Sequence, residues 1–228
     1  MDSFLKQHCS KEWQQFVDFH KIIFEFEANN YIFKEGEPVK GLYIVNNGKV
    51  KVFSTAEDKK EIIIRLAADG SVIGHRGFGG DWNYPVSAFS YTKTKVTFIP
   101  IDIFNILARA NTEFTYQLMM FFAEELRHSE EKNNLVPVKN KIAQAILMNF
   151  NVFGPDAKDP LKLSFTISRK DYAAIVNTTY ETVIRVLSEL NKEKVIELEA
   201  KSIRISDYKK LVSIANQRTV SKQPSLTS

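Results

Sequence analysis

Two oppositely charged side chains, Glu181 and Arg185, stand four residues apart in the segment Ile167–Ile196. A carboxylate accepts hydrogen bonds and a guanidinium group donates them, which is how many side chains read the edges of bases in DNA. Residues four apart share one face of an α-helix, so both groups could reach neighbouring base pairs. The pair predicts a DNA-reading helix if the surrounding residues build that helix and present this face.

The preceding residues predict a first short helix and a tight turn. Ser168 stands where a helix N-cap belongs, and Asp171 three residues later completes a capping box. The run Ala173–Val176 forms a small-residue face that allows a second helix to approach closely. Asn177 follows at the position where the chain needs a left-handed residue, which asparagine tolerates. These signals indicate a helix-turn-helix.

Thr178 or Thr179 can cap the second helix. Its core-facing residues recur at helical spacing and are Val183, Val186, Leu187 and Leu190. The residues left on the outer face, toward the N-terminal end, are Tyr180, Glu181, Ile184, Arg185 and Ser188. That is where a recognition helix meets base edges in the major groove. An ordinary helical hairpin with a solvated face is the alternative, but the caps and the following segment favour DNA binding.

The segment after the second helix predicts a wing. Val195, Ile196 and Leu198 alternate with polar residues, and the chain returns through Ile203-Arg204-Ile205. The turn between the two runs contains Lys201 at its tip. This pattern is typical of a short hairpin that closes a winged helix-turn-helix. Lys201 would reach a phosphate, a contact that positions a protein without reading sequence.

Composition and charge are consistent with this interpretation. The chain has 228 residues, 44% hydrophobic and 25% charged, as in globular proteins. Residues 139–228 carry 15 Lys and Arg against 9 Asp and Glu, a net charge of +6, whereas residues 1–138 carry 16 against 18, a net charge of −2. DNA favours such a basic half because binding releases counterions. No membrane span or signal peptide is apparent, so the cytoplasm is the expected compartment.

The N-terminal half predicts a β-rich domain. Residues 4–27 have apolar groups at helical spacing and predict one or two leading helices. From Tyr31 the period changes to two, and turn residues punctuate short strands. The expected strands are Tyr31–Phe33, Gly41–Asn46, Lys49–Ser54, Glu61–Leu66, Ser71–Gly74, Val86–Tyr91 and Lys95–Ile99. Many short strands of this kind suggest an antiparallel barrel or jelly roll.

After Pro100 the pattern becomes helical, with a short helix at Ile103–Ala108 and a long one at about Thr112–Asn134. Two apolar stripes share the long helix. The first, which can cover the barrel, is Phe114, Leu118 and Phe121; the second is Met119, Phe122 and Leu126. A symmetry-related copy is the simplest partner for the second stripe, giving a parallel coiled-coil homodimer. A helix buried entirely within one chain is the alternative.

The domain organisation follows from these elements. Leu135-Val136-Pro137-Val138 interrupts the helical run and predicts a hinge. It separates a sensor region, residues 1–134, from a DNA-binding domain, residues 139–217, which contains further helices at Lys139–Phe153 and Tyr208–Gln217. The tail, residues 218–228, lacks core-forming residues and is expected to be disordered.

Three segments in the correct order resemble the Crp/Fnr (catabolite activator/fumarate–nitrate regulator) family of bacterial transcription factors. In the sensor half these are Phe33-x-x-Gly36 and Tyr43-x-Val45-x-x-Gly48-x-Val50-x-Val52. The segment Lys141–Leu147 resembles the family's helix after the hinge. In the DNA half the matching residues are Ile167-Ser168-Arg169 and Glu181-Thr182-Val183-x-Arg185-x-Leu187. The resemblance covers about Tyr31 to Tyr208.

The resemblance implies an α+β protein with an N-terminal β-roll of the cyclic-nucleotide-binding type, a long dimerisation helix and a C-terminal winged helix-turn-helix. It implies a homodimer on palindromic double-stranded DNA, with RNA polymerase as a further partner. By position, Glu181 should accept from a cytosine amino group, Arg185 should donate to guanine and Arg169 should lie over a phosphate. Tyr180 replaces a common arginine, which alters the outer bases of the half-site. The expected DNA-binding residues are Arg169, Thr179, Tyr180, Glu181, Thr182, Arg185 and Lys201.

The sensor half departs from the cyclic-AMP-binding members. His75 stands where those members offer a glutamate to the ribose, and Val86 stands where they offer an arginine to the phosphate. Losing a bidentate arginine is costly for a charged ligand. The implied effector pocket, lined by Gly74, His75, Arg76, Ser87 and Ser129, is therefore not expected to use cyclic AMP. An anion held by Arg76 is the better expectation, and Phe78, Trp82 and Tyr84 are expected to fold over and fill the pocket.

Two other classes of function would require different residues or partners. A metal-dependent β-roll enzyme would need a metal-binding set, but His8, His20, His75 and His128 show no close pairing and the chain has one cysteine, Cys9. No catalytic or metal-binding residues and no cofactor are therefore expected. A module that acts through protein contacts alone would not be retained on promoter DNA. The sequence favours the DNA-binding regulator.

Overall fold

The computed structural model describes residues 9–130 and 136–217, and the chain divides into two compact units, Met1–Glu130 and Glu131–Ser228. The first unit contains two antiparallel four-stranded sheets, ordered β1-β8-β3-β6 and β2-β7-β4-β5. Its strands are β1 Ile22–Phe26, β2 Tyr31–Phe33, β3 Gly41–Asn47, β4 Val50–Thr55, β5 Glu61–Ala67, β6 Val72–Ile73, β7 Ser87–Ser90 and β8 Thr94–Pro100. Its helices are α1 Lys11–His20, α2 Ile101–Ala110 and α3 Thr112–Glu130, with a 3₁₀ turn at His75–Gly77. The predicted β-roll is confirmed.

Strand β3 shows how the roll is packed. Successive side chains of a strand point to opposite faces of a sheet. Tyr43 and Val45 pack inside the roll, whereas Leu42 and Ile44 pack on the other face, against the helices. All four are buried, so β3 forms part of two cores at once. The helical core contains residues from each helix, including Val17, Leu107 and Phe114.

The leading segment corrects one sequence expectation. Residues 4–27 were expected to be helical, and Lys11–His20 is, but Ile22–Phe26 forms β1 and pairs antiparallel with β8. Lys21 already has an extended backbone, with φ −67° and ψ 150°. The β-branched and aromatic residues that follow suit an edge strand, and pairing with β8 overrides their helical spacing. Phe4, Leu5 and His8 lie outside the described residues.

The long helix α3 has one buried face and one exposed apolar face. Phe114 and Leu118 are buried and Phe121 is half-buried against the helical core, as the sequence predicts. Met119 and Leu126 are 56% and 61% exposed. Phe122 differs from its predicted partners in the stripe, because it is half-buried and packs on its own chain. Two further apolar residues, which the predicted stripe omits, are exposed on α3: Tyr116 and Met120.

The second unit is a small helical domain closed by a two-stranded hairpin. Its elements are α4 Val138–Phe153, α5 Arg169–Val176, α6 Tyr180–Lys192, β9 Ile196–Glu199, β10 Ser202–Ile205 and α7 Tyr208–Asn216. Its core combines residues of the helices and the hairpin: Ile142, Ile146, Tyr172, Val183, Leu187, Ile203 and Leu211. The winged helix-turn-helix is confirmed, and the tail expected to be disordered, 218–228, lies outside the described residues. No helix in the described part of the chain is long and apolar enough to span a lipid bilayer.

Candidate nucleic-acid interface

Two caps and a left-handed turn position the recognition helix. The Ser168 hydroxyl accepts from the Asp171 backbone N–H at 3.0 Å and donates to the Asp171 carboxylate at 2.6 Å, which fixes the start of α5. Asn177 ends α5 with φ 53°, a conformation asparagine adopts at low cost. Thr179, rather than Thr178, is the N-cap of α6, and its side chain accepts from the Thr182 N–H at 3.3 Å. Thr182 thereby belongs to the cap as well as to the expected interface.

The outer face of α6 carries the predicted reading groups. Val183, Val186, Leu187 and Leu190 are all buried, which fixes the rotation of the helix. Glu181 and Arg185 are consequently exposed on the opposite side. Neither side chain forms a hydrogen bond or an ion pair within 4 Å in the described part of the chain. Their donors and acceptors are therefore available to an external partner.

A hydrogen bond links the wing to the start of α5. The wing strands β9 and β10 pair antiparallel, so Ala200 and Lys201 form the two-residue turn between Glu199 and Ser202. Ala200 has φ 52°, a left-handed conformation that an alanine adopts at a cost of about 1–2 kcal/mol. The Arg169 guanidinium group donates to the Lys201 carbonyl at 2.8 Å and so holds this turn. The sequence predicts Arg169 as a phosphate contact and does not reveal its bond to the wing.

A buried asparagine that sequence reasoning missed connects α4 to α5. Asn149 is fully buried, and its Oδ1 accepts from the Tyr172 hydroxyl at 2.8 Å and from the Ile167 N–H at 3.3 Å. Its Nδ2 donates to the Phe165 carbonyl at 2.9 Å. The residue therefore fixes the chain that enters the helix-turn-helix. A polar residue in the apolar spacing of Lys139–Phe153 was the available signal.

In the first unit, His75 and Arg76 meet Glu125 of α3. Glu125 accepts hydrogen bonds from Arg65 and Arg76, each at 3.1 Å, and its Oε2 lies 3.7 Å from His75 Nε2. His75 is 5% exposed, and neither of its ring nitrogens has a hydrogen-bond partner among the described residues. No sequence pattern indicates Arg65 or Glu125 as members of this cluster.

Burial and charge determine the protonation of this cluster. Burial lowers the pKa of His75, and the nearby Arg65 and Arg76 lower it further, while Glu125 opposes them. The pKa of Glu125 falls to about 2 because of the adjacent His75 ring and the guanidinium groups of Arg65 and Arg76. With His75 neutral, two guanidinium groups face one carboxylate, and the cluster has a net charge of +1.

An open cavity of about 320 Å³ lies beside this cluster, between the 3₁₀ turn and α3. Its polar end and apolar wall are formed, among the described residues, by His75, Arg76, Phe78, Phe122, Glu125 and Leu126. Ser87 is not among these lining residues; it is buried in β7, where its hydroxyl accepts from the Glu35 N–H at 3.0 Å. Gly74 precedes the 3₁₀ turn with φ 89°. The side chain of Ser129 lies outside the described residues.

The three aromatic residues expected to fill the pocket have separate locations. Tyr84 is buried inside the roll, stacked on Phe33 at 4.2 Å between ring centroids, and its hydroxyl donates to the Gly41 carbonyl at 3.0 Å. Phe78 lines the cavity and packs on Phe104 at 4.6 Å. Trp82 is 46% exposed, so the expectation that it fills the pocket is wrong. The preceding turn residues place Trp82 on a surface loop. Val86 is buried in the core of the roll.

Over the described residues, no group of three or more His, Cys, Asp or Glu side chains could hold a metal ion. The comparisons with known proteins concern both units. Residues 23–111 match the family Cyclic nucleotide-binding domain, and residues 140–214 match the family Crp-like helix-turn-helix domain.

Among curated proteins, the chain is similar to the CRP-like cAMP-activated global transcriptional regulator of Mycobacterium tuberculosis, at 27% identity over 192 residues, covering 82% of this chain and 85% of that protein. It is similar to the Fumarate and nitrate reduction regulatory protein of Vibrio cholerae, at 24% identity, covering 84% and 77%. Among solved structures, FixK2 from Bradyrhizobium japonicum shares the fold with a TM-score of 0.76 and 21% identity, covering 86% of this chain and 98% of that one. The proteins it matches are transcription regulators rather than enzymes.

Proposed function

Since the chain belongs to the Crp/Fnr family of transcription regulators, we propose that it acts as a homodimer on a palindromic DNA site, with the N-terminal roll as its sensor. The observation that carries this proposal is the exposure of Glu181 and Arg185 on a helix whose opposite face is buried. Selection of duplexes from a random DNA library by the full-length protein tests it. A palindromic consensus is expected, and recovery of random sequence would contradict it.

The proposed contacts divide by chemistry. Glu181 accepts from a cytosine amino group, and Arg185 donates to guanine O6 and N7, so these two residues specify bases. Thr179, Thr182, Arg169 and Lys201 surround them and contact the sugar–phosphate backbone, which sets the register of the protein on the duplex. We propose that this binding takes place in the cytoplasm and that RNA polymerase is the protein partner of the bound dimer.

We propose that the exposed face of α3 forms the dimer interface. Met119 and Leu126 are large apolar side chains that are 56% and 61% exposed, a surface that a second copy of α3 could cover. Leu126→Glu would place a charge in the interface without a partner, which is strongly disfavoured, so sedimentation should show monomers at micromolar concentration. Leu126 is a better test than Phe122, because Phe122 also packs on its own chain. Ile106→Glu, at a residue 48% exposed on α2, is the matched control and should stay dimeric. A dimeric Leu126→Glu variant would exclude this interface.

We also propose that the effector is a small anion other than cyclic AMP. The relative from Mycobacterium tuberculosis is named for activation by cAMP. In this chain Val86 is a buried apolar residue where a phosphate-binding arginine is expected, and His75 offers no carboxylate to a ribose. The net charge of +1 beside the cavity supports an anion held by Arg76 and His75. Gly74 and Ser129 remain proposed neighbours of that ligand, whereas Ser87 is buried in β7 and does not line this cavity.

Calorimetry with the full-length protein tests the effector proposal. Cyclic AMP and cyclic GMP are expected to produce no binding in the low micromolar range. Inorganic phosphate is the probe for the anion site, and its binding should be lost in Arg76→Ala but kept in Arg109→Ala, an arginine on α2 outside the cluster. Micromolar cyclic AMP binding that disappears in Arg76→Ala would instead indicate a pocket rebuilt around that arginine.

A further inference from the structure

Two large apolar side chains, Tyr180 and Ile184, lie on the outer surface of α6. Each is 44% exposed, although the helix buries its four other large apolar residues almost completely. A β-branched residue is also a poor helix former, so Ile184 brings no local advantage to this position. An exposed apolar pair beside the proposed base-reading groups indicates an apolar counterpart on the DNA.

The helix places this pair in a row beside the charged pair. Successive residues of an α-helix turn by about 100°, so Tyr180 and Ile184 lie about 40° apart around the axis, as do Glu181 and Arg185. Ile184 lies about 60° from Glu181, which makes it the member of the apolar row nearest to the charged row. Four residues rise about 6 Å, close to two base-pair steps of about 3.4 Å. Both rows can therefore follow the same stretch of major groove.

The base edges offer one apolar group to such a row. In the major groove each base pair presents hydrogen-bond donors and acceptors, and only thymine adds a methyl group. Resting on the proposed DNA-binding function, we infer that Ile184, flanked by Tyr180, recognises the C5-methyl groups of thymines next to the base pairs read by Glu181 and Arg185. Thymine is thus part of the half-site, and these two residues determine that preference.

Deoxyuridine substitution tests this inference, because deoxyuridine differs from thymidine by that methyl group alone. Starting from a duplex that the full-length protein selects, each thymine of one half-site is replaced in turn on either strand. Loss of one buried methyl group is expected to weaken binding about fourfold at one or two positions. Other thymines of the same duplex serve as internal controls and should show no change.

Variants assign the effect to the residue. In Ile184→Ala the sensitive thymine and deoxyuridine duplexes should bind equally, whereas Ile106→Ala, at a residue 48% exposed on α2, should keep the fourfold difference. Arg185→Ala should bind both duplexes more weakly but preserve their ratio, because it removes a different contact. A general loss of helix stability would weaken binding to both duplexes alike. It would not abolish the dependence of binding on this one methyl group.

The outcomes separate the inference from the function on which it rests. A protein that selects no duplex overturns both. A selected site at which no deoxyuridine weakens binding, or at which the ratio survives in Ile184→Ala, overturns the thymine inference and leaves the DNA-binding function intact. In that case a protein surface would be the better counterpart for the apolar row.

Discussion

Glu181 and Arg185 of the C-terminal unit are exposed on α6 and form no close ion pair in the described part of the chain, whereas Arg65 and Arg76 of the N-terminal unit both donate to Glu125. The first arrangement leaves its hydrogen-bonding groups to an external partner. The second compensates its charges internally and leaves a net charge of +1 beside a cavity. Substitutions should therefore change binding in the first region and folding stability in the second.

The comparison can be tested because the two units have separate optical signals. Both tryptophans, Trp13 and Trp82, lie in the N-terminal unit, so tryptophan fluorescence reports its unfolding. Far-ultraviolet circular dichroism reports both units. A substitution that shifts the circular dichroism transition alone is thereby assigned to the C-terminal unit, and one that shifts both transitions to the N-terminal unit.

The largest expected effect concerns the scaffold of the DNA-binding unit. Asn149→Leu removes the acceptor of the Tyr172 hydroxyl and of the Ile167 N–H, which are buried, and the donor to the part-buried Phe165 carbonyl. Each group left unpaired costs about 1–3 kcal/mol, so the free energy of unfolding should fall by roughly 3–5 kcal/mol. Urea unfolding followed by circular dichroism should shift, with the fluorescence transition unchanged.

Tyr172→Phe is the matched control for Asn149→Leu. It removes the hydrogen bond from the Tyr172 hydroxyl to Asn149 but keeps the bonds of Asn149 to the Ile167 N–H and the Phe165 carbonyl. The free energy of unfolding should therefore fall by a smaller amount, about 1 kcal/mol. Equal effects of the two substitutions would show that Asn149 does not connect α4 to α5 through its several bonds.

The second prediction concerns base reading. Arg185→Ala should weaken binding to the selected site by about 1–3 kcal/mol and relax the preference at one guanine, while unfolding by either signal stays nearly unchanged. Lys192→Ala, near the C-terminal end of the same helix, should leave the consensus unaltered. A consensus that survives Arg185→Ala would show that the recognition residues are assigned incorrectly.

The two units also differ in how far local sequence signals determine their structure. In the C-terminal unit Ser168, Asn177 and Thr179 form caps and a turn as predicted, because such signals act between residues close in the chain. In the N-terminal unit the residues of β1 have helical spacing, but their conformation depends on pairing with β8, whose partner residues lie 68 to 76 positions later, from Phe26↔Thr94 to Ile22↔Phe98.

The same reasoning explains the residues that were missed. Arg65 and Glu125 are sixty residues apart and meet through the packing of α3 on the roll. The hydrogen bond from Arg169 to Lys201 likewise depends on where the wing folds back. Sequence spacing identifies the ends of elements well, but it does not reveal which distant side chains those elements bring together.

The third prediction concerns the compensated cluster. Glu125→Gln leaves the guanidinium groups of Arg65 and Arg76 facing a neutral amide, which disfavours burial of Arg65. Because the cluster is only partly buried, a loss of about 1–2 kcal/mol is expected in the fluorescence transition, with no change in the DNA consensus. Glu113→Gln, at an exposed residue near the start of α3, is the control, because the glutamine keeps an oxygen that can accept from Gln117. An unchanged fluorescence transition would show that the ion pairs do not stabilise the roll.

The pH dependence of the roll should have two stages. Since the pKa of His75 is lowered in the folded state, its neutral form is favoured there, and this contribution is lost as pH falls below about 6.5. The pKa of Glu125 is lowered to about 2, so its contribution is present above the ordinary glutamate range and is lost as pH falls from there toward 2. His75→Gln should remove the upper stage and Glu125→Gln the lower one. Fluorescence-detected unfolding, measured from about pH 7 to about pH 3, follows both stages.

The smallest expected effect concerns the wing, where Arg169 is proposed to act by holding Lys201 in position. Lys201→Ala should weaken binding to all sequences similarly and lower the slope of log affinity against log salt by about one. Arg169 carries its own charge and also holds the Lys201 carbonyl, so its removal should release the strained turn at Ala200. Arg169→Ala should therefore lower the slope by about two, as though both phosphate contacts were lost.

The double variant distinguishes positioning from a separate phosphate contact. If Arg169 holds the wing, Arg169→Ala with Lys201→Ala should bind like Arg169→Ala alone, because the lysine is already displaced. Independent contacts would instead add, since additivity is expected of residues that do not share a partner. Arg169→Lys keeps the positive charge but lacks the guanidinium group that donates to the Lys201 carbonyl. The wing should therefore be displaced in Arg169→Lys as it is in Arg169→Ala. An additive double variant would leave Arg169 as a phosphate contact and remove its role in orienting Lys201.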